Sequence, residues 1–279
     1  MIKADLHNHT RHSHAADSVA AMAEAAQAKG LEFFGLSEHS PRPDGYLYPA
    51  DYQEKLLATY GQYIDEVKSL RAAKQNNFRV LLGLEVDFMP DEEAFARRAV
   101  SGHDFDYVIG GLHFQGNWGF DYAQADWDKL DETRRRGCYV RYYRDLAALC
   151  RSGVAQIIAH PDLIKLFSAD SFKRWLDTKE AEEVLAETFG LMKELDLIME
   201  VSSAGLRKPC REIYPGPRIM ELAAGLGLKI CLSSDAHSTA QIAYAFDELE
   251  SYCKSFGFGG SWIVEGGRQV ALPFDKNHC

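Results

Sequence analysis

The sequence lacks the long apolar runs that membrane proteins carry. No stretch approaches the roughly 18 consecutive apolar residues that a membrane-spanning helix needs. The chain passes from Met1 through a short apolar segment into a polar, histidine-rich stretch, without the basic and apolar regions of a secretory signal. We therefore expect neither membrane insertion nor export, and we predict a cytoplasmic protein.

Clustered cysteines are also missing. The six cysteines are widely separated along 279 residues and never form a C-x-x-C pair. Disulfide frameworks and zinc knuckles depend on closely spaced cysteines, so neither is predicted. A reducing compartment fits this pattern best.

Positive charge is scarce, with 31 Lys and Arg against 41 Asp and Glu and a net charge of -10. A nucleic-acid-binding surface normally shows as a basic face, so we expect no nucleic-acid partner. An acidic protein can bind an anionic small molecule if metal ions or a few arginines reverse the field locally. The composition is otherwise that of a soluble globular protein, and we expect a monomer or a small homo-oligomer.

No low-complexity linker divides the chain, so one domain over residues 1–279 is the simplest organisation. Short apolar segments alternate with longer amphipathic ones, which is the pattern of βα units around a parallel sheet. Seven strands are predicted, at residues 2–6, 33–37, 79–84, 107–112, 156–159, 197–201 and 229–232. Helices are predicted at 19–29, 50–74, 92–100, 128–152, 178–195, 217–226 and 240–255, and a terminal hairpin at 262–264 and 269–272.

Metal-ligand side chains follow six of the seven predicted strands. In chain order they are His7 and His9, His39, Glu85, His113, His160, and Asp235 with His237. The carboxyl ends of parallel strands lie on one face of a barrel or sheet, so these side chains should meet there. Imidazole combined with carboxylate oxygen suits Zn, Mn or Fe(II), and the absence of cysteine argues against a closed structural zinc site. We predict a catalytic centre of divalent ions.

The remaining histidines need separate interpretations. His12, His103 and His278 fit no strand end, and we predict that they are surface residues. His14 lies close to the first strand and is a candidate ligand. Asp17 is typical of a helix cap, although it is near enough to His14 to compete for the same role. A single histidine after a strand is weak evidence, whereas strand-end positions for six of the ten, with His14 close to the first strand, are strong evidence.

Together these residues resemble the polymerase and histidinol phosphatase superfamily, or PHP superfamily, over nearly the whole chain. The resemblance is carried by D-L-H-N-H-T at 5–10, S-H-A at 13–15, S-E-H at 37–39, G-L-E at 83–85, G-G-L-H at 110–113, H-P-D at 160–162 and S-S-D-A-H at 233–237. The segments S-A-G-L-R-K-P at 203–209 and E-I-Y-P at 212–215 resemble the histidinol-phosphatase branch. Glu38 stands where many relatives carry Asp, and no direct role is assigned to it.

The resemblance implies a distorted (β/α)7 barrel, similar to a TIM barrel, with a metal site at the carboxyl ends of its strands. It implies two to three divalent ions, with Zn first and Mn or Fe as alternatives. One ion would bind His7, His9, Glu85 and Asp235; a second Glu85, His113 and His160; a third His14, His39 and His237. Glu85 would then bridge two ions.

The implied reaction is hydrolysis of L-histidinol phosphate, a small phosphate ester, to L-histidinol and phosphate. Clustered ions can lower the pKa of a bridging water, which attacks phosphorus, and can neutralise the charge on the phosphate oxygens. Arg207 follows the one strand without a metal ligand, so it is predicted to bind the phosphate, with Lys165 as a second cation. Asp235 or a metal-bound water would protonate the leaving group. Lys208 is predicted to be solvated.

The substrate's imidazole and amino groups also need a binding surface. The segment at 41–49, with Tyr46 and Tyr48, and the aromatic residues Phe114 and Trp118 after His113 are predicted to enclose them. Acidic side chains nearby would suit the amine.

Three alternative functions stay open at this point. A related phosphoesterase could act on nucleotides or other phosphate esters. An amidohydrolase also begins with H-x-H on a barrel strand, but typically bridges its metals with a modified lysine, whereas the bridge indicated here is Glu85. A non-enzymatic metal-binding module is a third possibility, although no expected ligand is missing.

Overall fold

The structure is a computed structural model that describes residues 2–46, 52–73 and 77–274. Its strands are β1 Ala4–Asp5, β2 Phe33–Leu36, β3 Arg79–Asp87, β4 Tyr107–Gly111, β5 Phe114–Gln115, β6 Trp118–Gly119, β7 Ile157–Ile158, β8 Ile198–Ser202, β9 Lys229–Ser233, β10 Gly260–Glu265 and β11 Arg268–Pro273. Its α-helices are α1 Val19–Ala28, α2 Tyr52–Ala73, α3 Glu93–Val100, α4 Gln124–Asp128, α5 Glu132–Ser152, α6 Ala169–Leu176, α7 Lys179–Glu194, α8 Pro217–Leu226 and α9 Phe246–Ser255.

The seven predicted strands form one parallel sheet in the order β1-β2-β3-β4-β7-β8-β9. The two outer strands meet just beyond their carboxyl ends, where Asn8 and Ala236 form a parallel bridge. There the backbone N–H of His9 donates to the carbonyl of Ala236 over 2.8 Å. The sheet is therefore a nearly closed barrel, and the predicted distorted (β/α)7 fold is confirmed.

Local sequence signals explain where several helices begin and end. The Ser18 side chain accepts a hydrogen bond from the Ala21 N–H and caps α1, while Asp131 caps α5 through the Arg134 N–H. Gly153 ends α5 with φ of 64°, in the left-handed region that glycine adopts without steric cost. Asp17 does not cap α1, because its Oδ2 accepts from the Thr239 N–H at 2.7 Å.

The strands separate two apolar clusters, one inside the barrel and one between the strands and the helices. The barrel interior is filled by side chains such as Leu6, Leu81, Ile109 and Ile198, all nearly inaccessible to solvent. The hairpin β10–β11 covers the amino end of the barrel, and Ile263 packs into this interior cluster. The larger cluster lies between the outer faces of the strands and the helices. With its amino end filled by apolar groups, the barrel has its polar residues at the carboxyl end.

The structure differs from the predicted elements in its irregular parts. The helix predicted at 128–152 begins at Glu132, because the chain is interrupted between α4 and the Asp131 cap. The helix predicted at 240–255 begins at Phe246 after a short 3-10 turn, Thr239–Gln241. The hairpin β5–β6 and helix α6 were not predicted, since short segments carry too little periodicity to be recognised. None of the described helices is long and apolar enough to cross a membrane.

Candidate metal centre

Glu85 is the centre of the polar cluster at the carboxyl end of the barrel. It lies within β3, and its side chain is 1% exposed. Its Oε2 lies 3.2 Å from His7 Nε2, 3.4 Å from His9 Nε2 and 3.0 Å from His39 Nδ1. Its Oε1 lies 3.2 Å from His160 Nε2 and 3.6 Å from His113 Nε2. One carboxylate therefore faces five imidazoles contributed by four other strand ends.

Asp235 and His237 join this cluster from the end of β9. Asp235 Oδ1 lies 3.4 Å from His9 Nε2, 4.0 Å from His7 Nε2 and 3.5 Å from His237 Nδ1. Asp235 has φ of 46°, a left-handed conformation that aspartate tolerates better than most residues. This turn brings both the carboxylate and the next imidazole toward the cluster.

His14 lies at the solvent-exposed edge of the cluster. Its ring centroid is 4.2 Å from that of His237 and 5.3 Å from that of His39, and its Nδ1 lies 2.9 Å from the Tyr52 hydroxyl. Asp17, the competing candidate, is held by the Thr239 backbone instead. The structure therefore brings His14, and not Asp17, to the cluster.

Four groups of side chains, within the described residues, have ligand atoms within 4.8 Å of one another: His7, His9 and Glu85; Glu85, His113 and His160; His9, His39 and His237; and His39, Asp87 and His113. The second group is the complete second site implied by the resemblance. The first contains three of the four ligands implied for the first site. In the third group His9 takes the place expected for His14. The nine ligand assignments themselves stay predictions.

The cluster fits metal ions by a further criterion, the hydrogen bonding of its buried atoms. A buried polar atom without a partner costs about 1–3 kcal/mol, so such atoms are rare unless something else binds them. Within the described residues, buried atoms without a hydrogen-bond partner include Nε2 of His7, His9 and His237, Nδ1 of His39 and Oε2 of Glu85. All five belong to the cluster, and a divalent cation would satisfy them.

Carboxylates outside the predicted ligand set hold the outer nitrogens of two imidazoles, and a third carboxylate lies beside another imidazole. Asp87 Oδ1 accepts a short hydrogen bond from His113 Nδ1. Glu200 Oε1 lies 2.7 Å from His7 Nδ1, and Glu38 Oε2 lies 3.6 Å from His9 Nδ1. Carboxylates in these positions fix the tautomer and the ring orientation of metal-binding histidines.

Sequence reasoning assigned no role to these three acids, although two of them left a signal. Asp87 lies two residues after Glu85 in the same strand, so both side chains point to one face. Glu200 is a charged residue inside the apolar strand β8 and is fully buried. A buried acid of this kind requires a partner, which indicates a polar site. Glu38 accepts hydrogen bonds of 2.5 Å from both the N–H and the hydroxyl of Thr10.

The mutual contacts determine the charges within the cluster. Burial would raise the pKa of Glu85, but His7, His39 and His113 outweigh it and hold this pKa well below its usual range. Burial likewise raises the pKa of Asp235, and the neighbouring imidazoles, with His237 first, reverse that effect. Both carboxylates are therefore ionised at neutral pH, as metal ligands must be.

A cavity of about 300 Å³ opens onto the cluster. Its lining is His14, His39, Arg42, Tyr52, Glu85, His113, Asp121, Tyr122, His160, Leu163, Leu166, Lys208, Tyr214, Asp235 and His237. Lys208, predicted to be solvated, is half-buried in this wall. Arg42 is 3% exposed and pairs with Asp87 through a short hydrogen bond from its Nε. The guanidinium also lies over the ring of Tyr52, 4.9 Å from its centroid.

The predicted phosphate-binding cations have other contacts in the structure. Arg207 donates a short hydrogen bond to the carbonyl of Ser234 and a second, of 3.2 Å, to that of Asp235. Lys165 is 1% exposed, lies 2.8 Å from Asp162 Oδ2 and donates to the carbonyl of Ile213. Neither side chain lines the cavity. Their roles in substrate binding stay predictions, and the contacts show that both residues hold loops beside the site.

Three described residues of the predicted aromatic enclosure, Tyr46, Phe114 and Trp118, do not line the cavity. Tyr46 and Phe114 pack with Met89 in a separate buried cluster, with the Tyr46 and Phe114 rings 5.3 Å apart. Trp118 packs against Trp127 at 5.4 Å. These side chains therefore contribute to the packing of the fold. Tyr48 lies outside the described residues.

The histidines predicted on the surface divide into three cases. His12 is 5% exposed, and its Nε2 lies 3.1 Å from Glu66 Oε2. The prediction that His12 is a surface residue was therefore wrong. The Thr59 hydroxyl also donates to its carbonyl. His103 is exposed, as predicted. His278 lies outside the described residues.

Comparison with known proteins identifies the family. The PHP domain family matches residues 5–204. The "probable histidinol-phosphatase" of Deinococcus radiodurans is 32% identical over 230 residues, which cover 82% of this chain and 83% of that protein. The family match includes every strand end of the cluster except the last, which carries Asp235 and His237.

Two solved structures share the fold. A crystal structure from Listeria monocytogenes matches with a TM-score of 0.80 at 20% identity, covering 88% of this chain and 99% of that chain. The histidinol phosphate phosphatase of Lactococcus lactis, complexed with Zn, L-histidinol and phosphate, matches with a TM-score of 0.75 at 19% identity, covering 96% and 98%. The family match covers most of the barrel, and this chain therefore belongs to the PHP domain family.

Proposed function

We propose that this protein is a metal-dependent phosphomonoesterase that hydrolyses L-histidinol phosphate to L-histidinol and phosphate. The observation that carries the proposal is the position of Glu85, whose two carboxylate oxygens face separate groups of imidazoles. The name of the Deinococcus relative supports the choice of substrate. We propose further that the protein acts in histidine biosynthesis in the cytoplasm, as one domain, without a nucleic-acid partner.

The proposed ligands are the nine residues of the cluster: His7, His9, His14, His39, Glu85, His113, His160, Asp235 and His237. Bound divalent ions, with Zn first and Mn or Fe as alternatives, would supply Lewis acidity and an activated water for phosphoryl transfer. Five buried atoms of the cluster that lack hydrogen-bond partners support this proposal.

The remaining roles belong to the protein's own side chains. Asp87 and Glu200 orient two imidazoles of the cluster, and Glu38 lies beside a third. The ionised Asp235 borders both the cluster and the cavity, so it can accept the proton that the attacking water loses and pass it to the leaving alkoxide. Arg207 fixes the turn that presents Asp235, and Lys208 supplies a positive charge on the cavity wall.

The test is phosphate release from L-histidinol phosphate by the purified protein, with and without prior chelation. p-Nitrophenyl phosphate and a nucleotide serve as comparison substrates. Fast turnover that is lost on chelation, restored by Zn and strongly selective for histidinol phosphate supports the proposal. Turnover of the comparison esters alone would agree with a phosphoesterase but would contradict histidinol phosphate as its substrate. Absence of turnover of every ester after loading with Zn, Mn or Fe would contradict the proposal that the protein is an enzyme.

A further inference from the structure

Two oppositely charged side chains border the cavity beyond the metal cluster and the paired Arg42. They are Asp121 and Lys208, and apart from Arg42 no other charged group outside the cluster lines the cavity among the described residues. Lys208 follows Arg207, whose guanidinium donates to the backbone carbonyls of Ser234 and Asp235. Lys208 therefore lies on the side of the cavity where Asp235 and His237 stand.

Asp121 lies on another side of the cavity, near His113. His113 faces Oε1 of Glu85, whereas His9, whose ring stacks with that of His237, faces Oε2. The cavity wall therefore has a positive side at Lys208 and a negative side at Asp121. A ligand with charges of both signs would have one favourable orientation in it.

The backbone holds Asp121 in place. The N–H of Phe120, one residue earlier, donates to the carbonyl of His113 over 3.2 Å. The indole N–H of Trp127 donates to the carbonyl of Phe120 over 2.6 Å, and Tyr122 N–H donates to Gly119. The segment that carries Asp121 is thus tied directly to a residue of the cluster, so the carboxylate has a defined position relative to it.

We propose that Asp121 binds the ammonium group of the substrate and so selects amino-bearing phosphate esters. The phosphoryl group then lies at the cluster on the Lys208 side, and the apolar side chains of Leu163 and Leu166 are available to the substrate's ring. This inference rests on the proposed function, because histidinol phosphate carries both an ammonium and a phosphate.

The same carboxylate acts against esters that lack an amine. A negative charge beside a phosphate-binding site repels a phosphate dianion, and only a substrate that carries a compensating cation offsets this repulsion. Discrimination that combines attraction of one ligand with repulsion of another is a general source of specificity. Removal of the Asp121 charge should therefore have opposite effects on the two kinds of ester.

The experiment compares L-histidinol phosphate with its desamino analogue, the imidazolylpropyl phosphate ester, on the Zn-loaded enzyme. Asp121→Asn should lower kcat/KM for histidinol phosphate about ten- to hundredfold, chiefly through KM, as expected for loss of a charged hydrogen bond. The analogue should be hydrolysed equally well or faster by the variant. Asp121→Glu should recover part of the loss. Asp128→Asn removes an equal charge from an exposed position on α4 and should leave kcat/KM unchanged for both substrates.

Zinc content and affinity are measured on each variant, since Asp121 lies near His113. Equal losses on both substrates, together with lost zinc, would overturn the inference and make Asp121 a support for the cluster. Equal kcat/KM of the wild type for the two esters would also overturn the inference, but it would leave the proposed phosphatase activity supported. If the wild type hydrolyses no histidinol phosphate, calorimetric binding of L-histidinol still decides the question. Binding weakened tenfold by Asp121→Asn supports the inference, and unchanged binding overturns it.

Discussion

His7 Nδ1 lies 2.7 Å from Glu200 Oε1, although 193 residues separate them in the chain. Their side chains are 1% and 0% exposed. The second oxygen of Glu200 accepts from the backbone N–H of His160 over 2.7 Å. One buried carboxylate from β8 therefore orients the imidazole that follows β1 and the backbone that follows β7. His7 Nε2 is left facing Glu85, where a metal ligand is predicted.

Replacement of Glu200 should weaken metal binding without removing a proposed ligand. Loss of such an orienting carboxylate typically costs 10–100-fold in metal affinity. We expect Glu200→Gln to lower the zinc affinity by about that factor, measured by competition with a chromogenic chelator. Glu187→Gln is the matched control, because Glu187 is exposed and pairs with the exposed Arg151. Equal zinc affinity for Glu200→Gln and the wild type would contradict the orienting role.

Gly111 is the position where one methyl group should disturb the centre. A Cβ there would lie 2.9 Å from Glu85 Oε1 and 3.1 Å from His113 Cε1, closer than ordinary van der Waals contact. We expect Gly111→Ala to displace the Glu85 carboxylate and to lower bound zinc, measured by plasma mass spectrometry, together with kcat. Gly190→Ala in α7 meets no atom within 4 Å and should retain full zinc content. A fully loaded, active Gly111→Ala protein would show that Glu85 can move without consequence.

Arg42 and Asp87 form a buried ion pair beside the cavity, and both residues are 3% exposed. Removing one partner of such a pair leaves an uncompensated buried charge, at a cost of about 3–5 kcal/mol. Arg42→Ala should therefore lower the free energy of unfolding of the metal-free protein by about that amount in urea titrations. Arg151→Ala, which breaks an exposed pair with Glu187, should change it by about 0–1 kcal/mol. Similar losses of unfolding free energy in the two variants would contradict the larger contribution expected from the buried pair.

The metal-free protein should lose stability as the pH rises from about 6.5 to 9. Burial lowers the pKa of His9, but Asp235 and Glu38 raise it to about 9. Asp87 and Glu85 likewise raise the pKa of His113 to about 9. These folded values exceed the unfolded value of 6.5, so the stabilisation is complete below pH 6.5 and is lost as the pH passes through 9.

Thermal unfolding in chelator across this pH range measures the effect. The Zn-loaded protein should not show the same decline, because metal ions bind the deprotonated imidazoles. A melting temperature that rises with pH in the metal-free protein would contradict the assigned shifts.

The order of the fold could be predicted from the sequence. Short apolar segments such as 33–37 and 229–232 alternate with amphipathic ones. This periodicity is a local property of the sequence and can be recognised without knowing the tertiary contacts. Parallel strands place their carboxyl ends on one face, so the convergence of His39, Glu85 and His160 followed from their positions after strands. Irregular segments carry no period, which is why β5–β6, α6 and the true start of α9 were not foreseen.

The directions of single side chains in loops could not be predicted. Arg207 and Lys208 are neighbours with similar chemistry, yet Arg207 turns to the carbonyls of Ser234 and Asp235 while Lys208 lines the cavity. That choice depends on which carbonyl groups the folded chain leaves without partners nearby, and no local pattern records it.

The sequence by itself determined the βα order and the residue types that follow each strand, because periodicity and strand polarity are local properties. Tertiary structure alone decided that Glu85 faces five imidazoles, that Glu200 and Asp87 orient two of them, and that Asp121 and Lys208 stand on different sides of the cavity. Those relationships join residues that are distant in the chain, and they exist only when burial forces each polar group to find its partner.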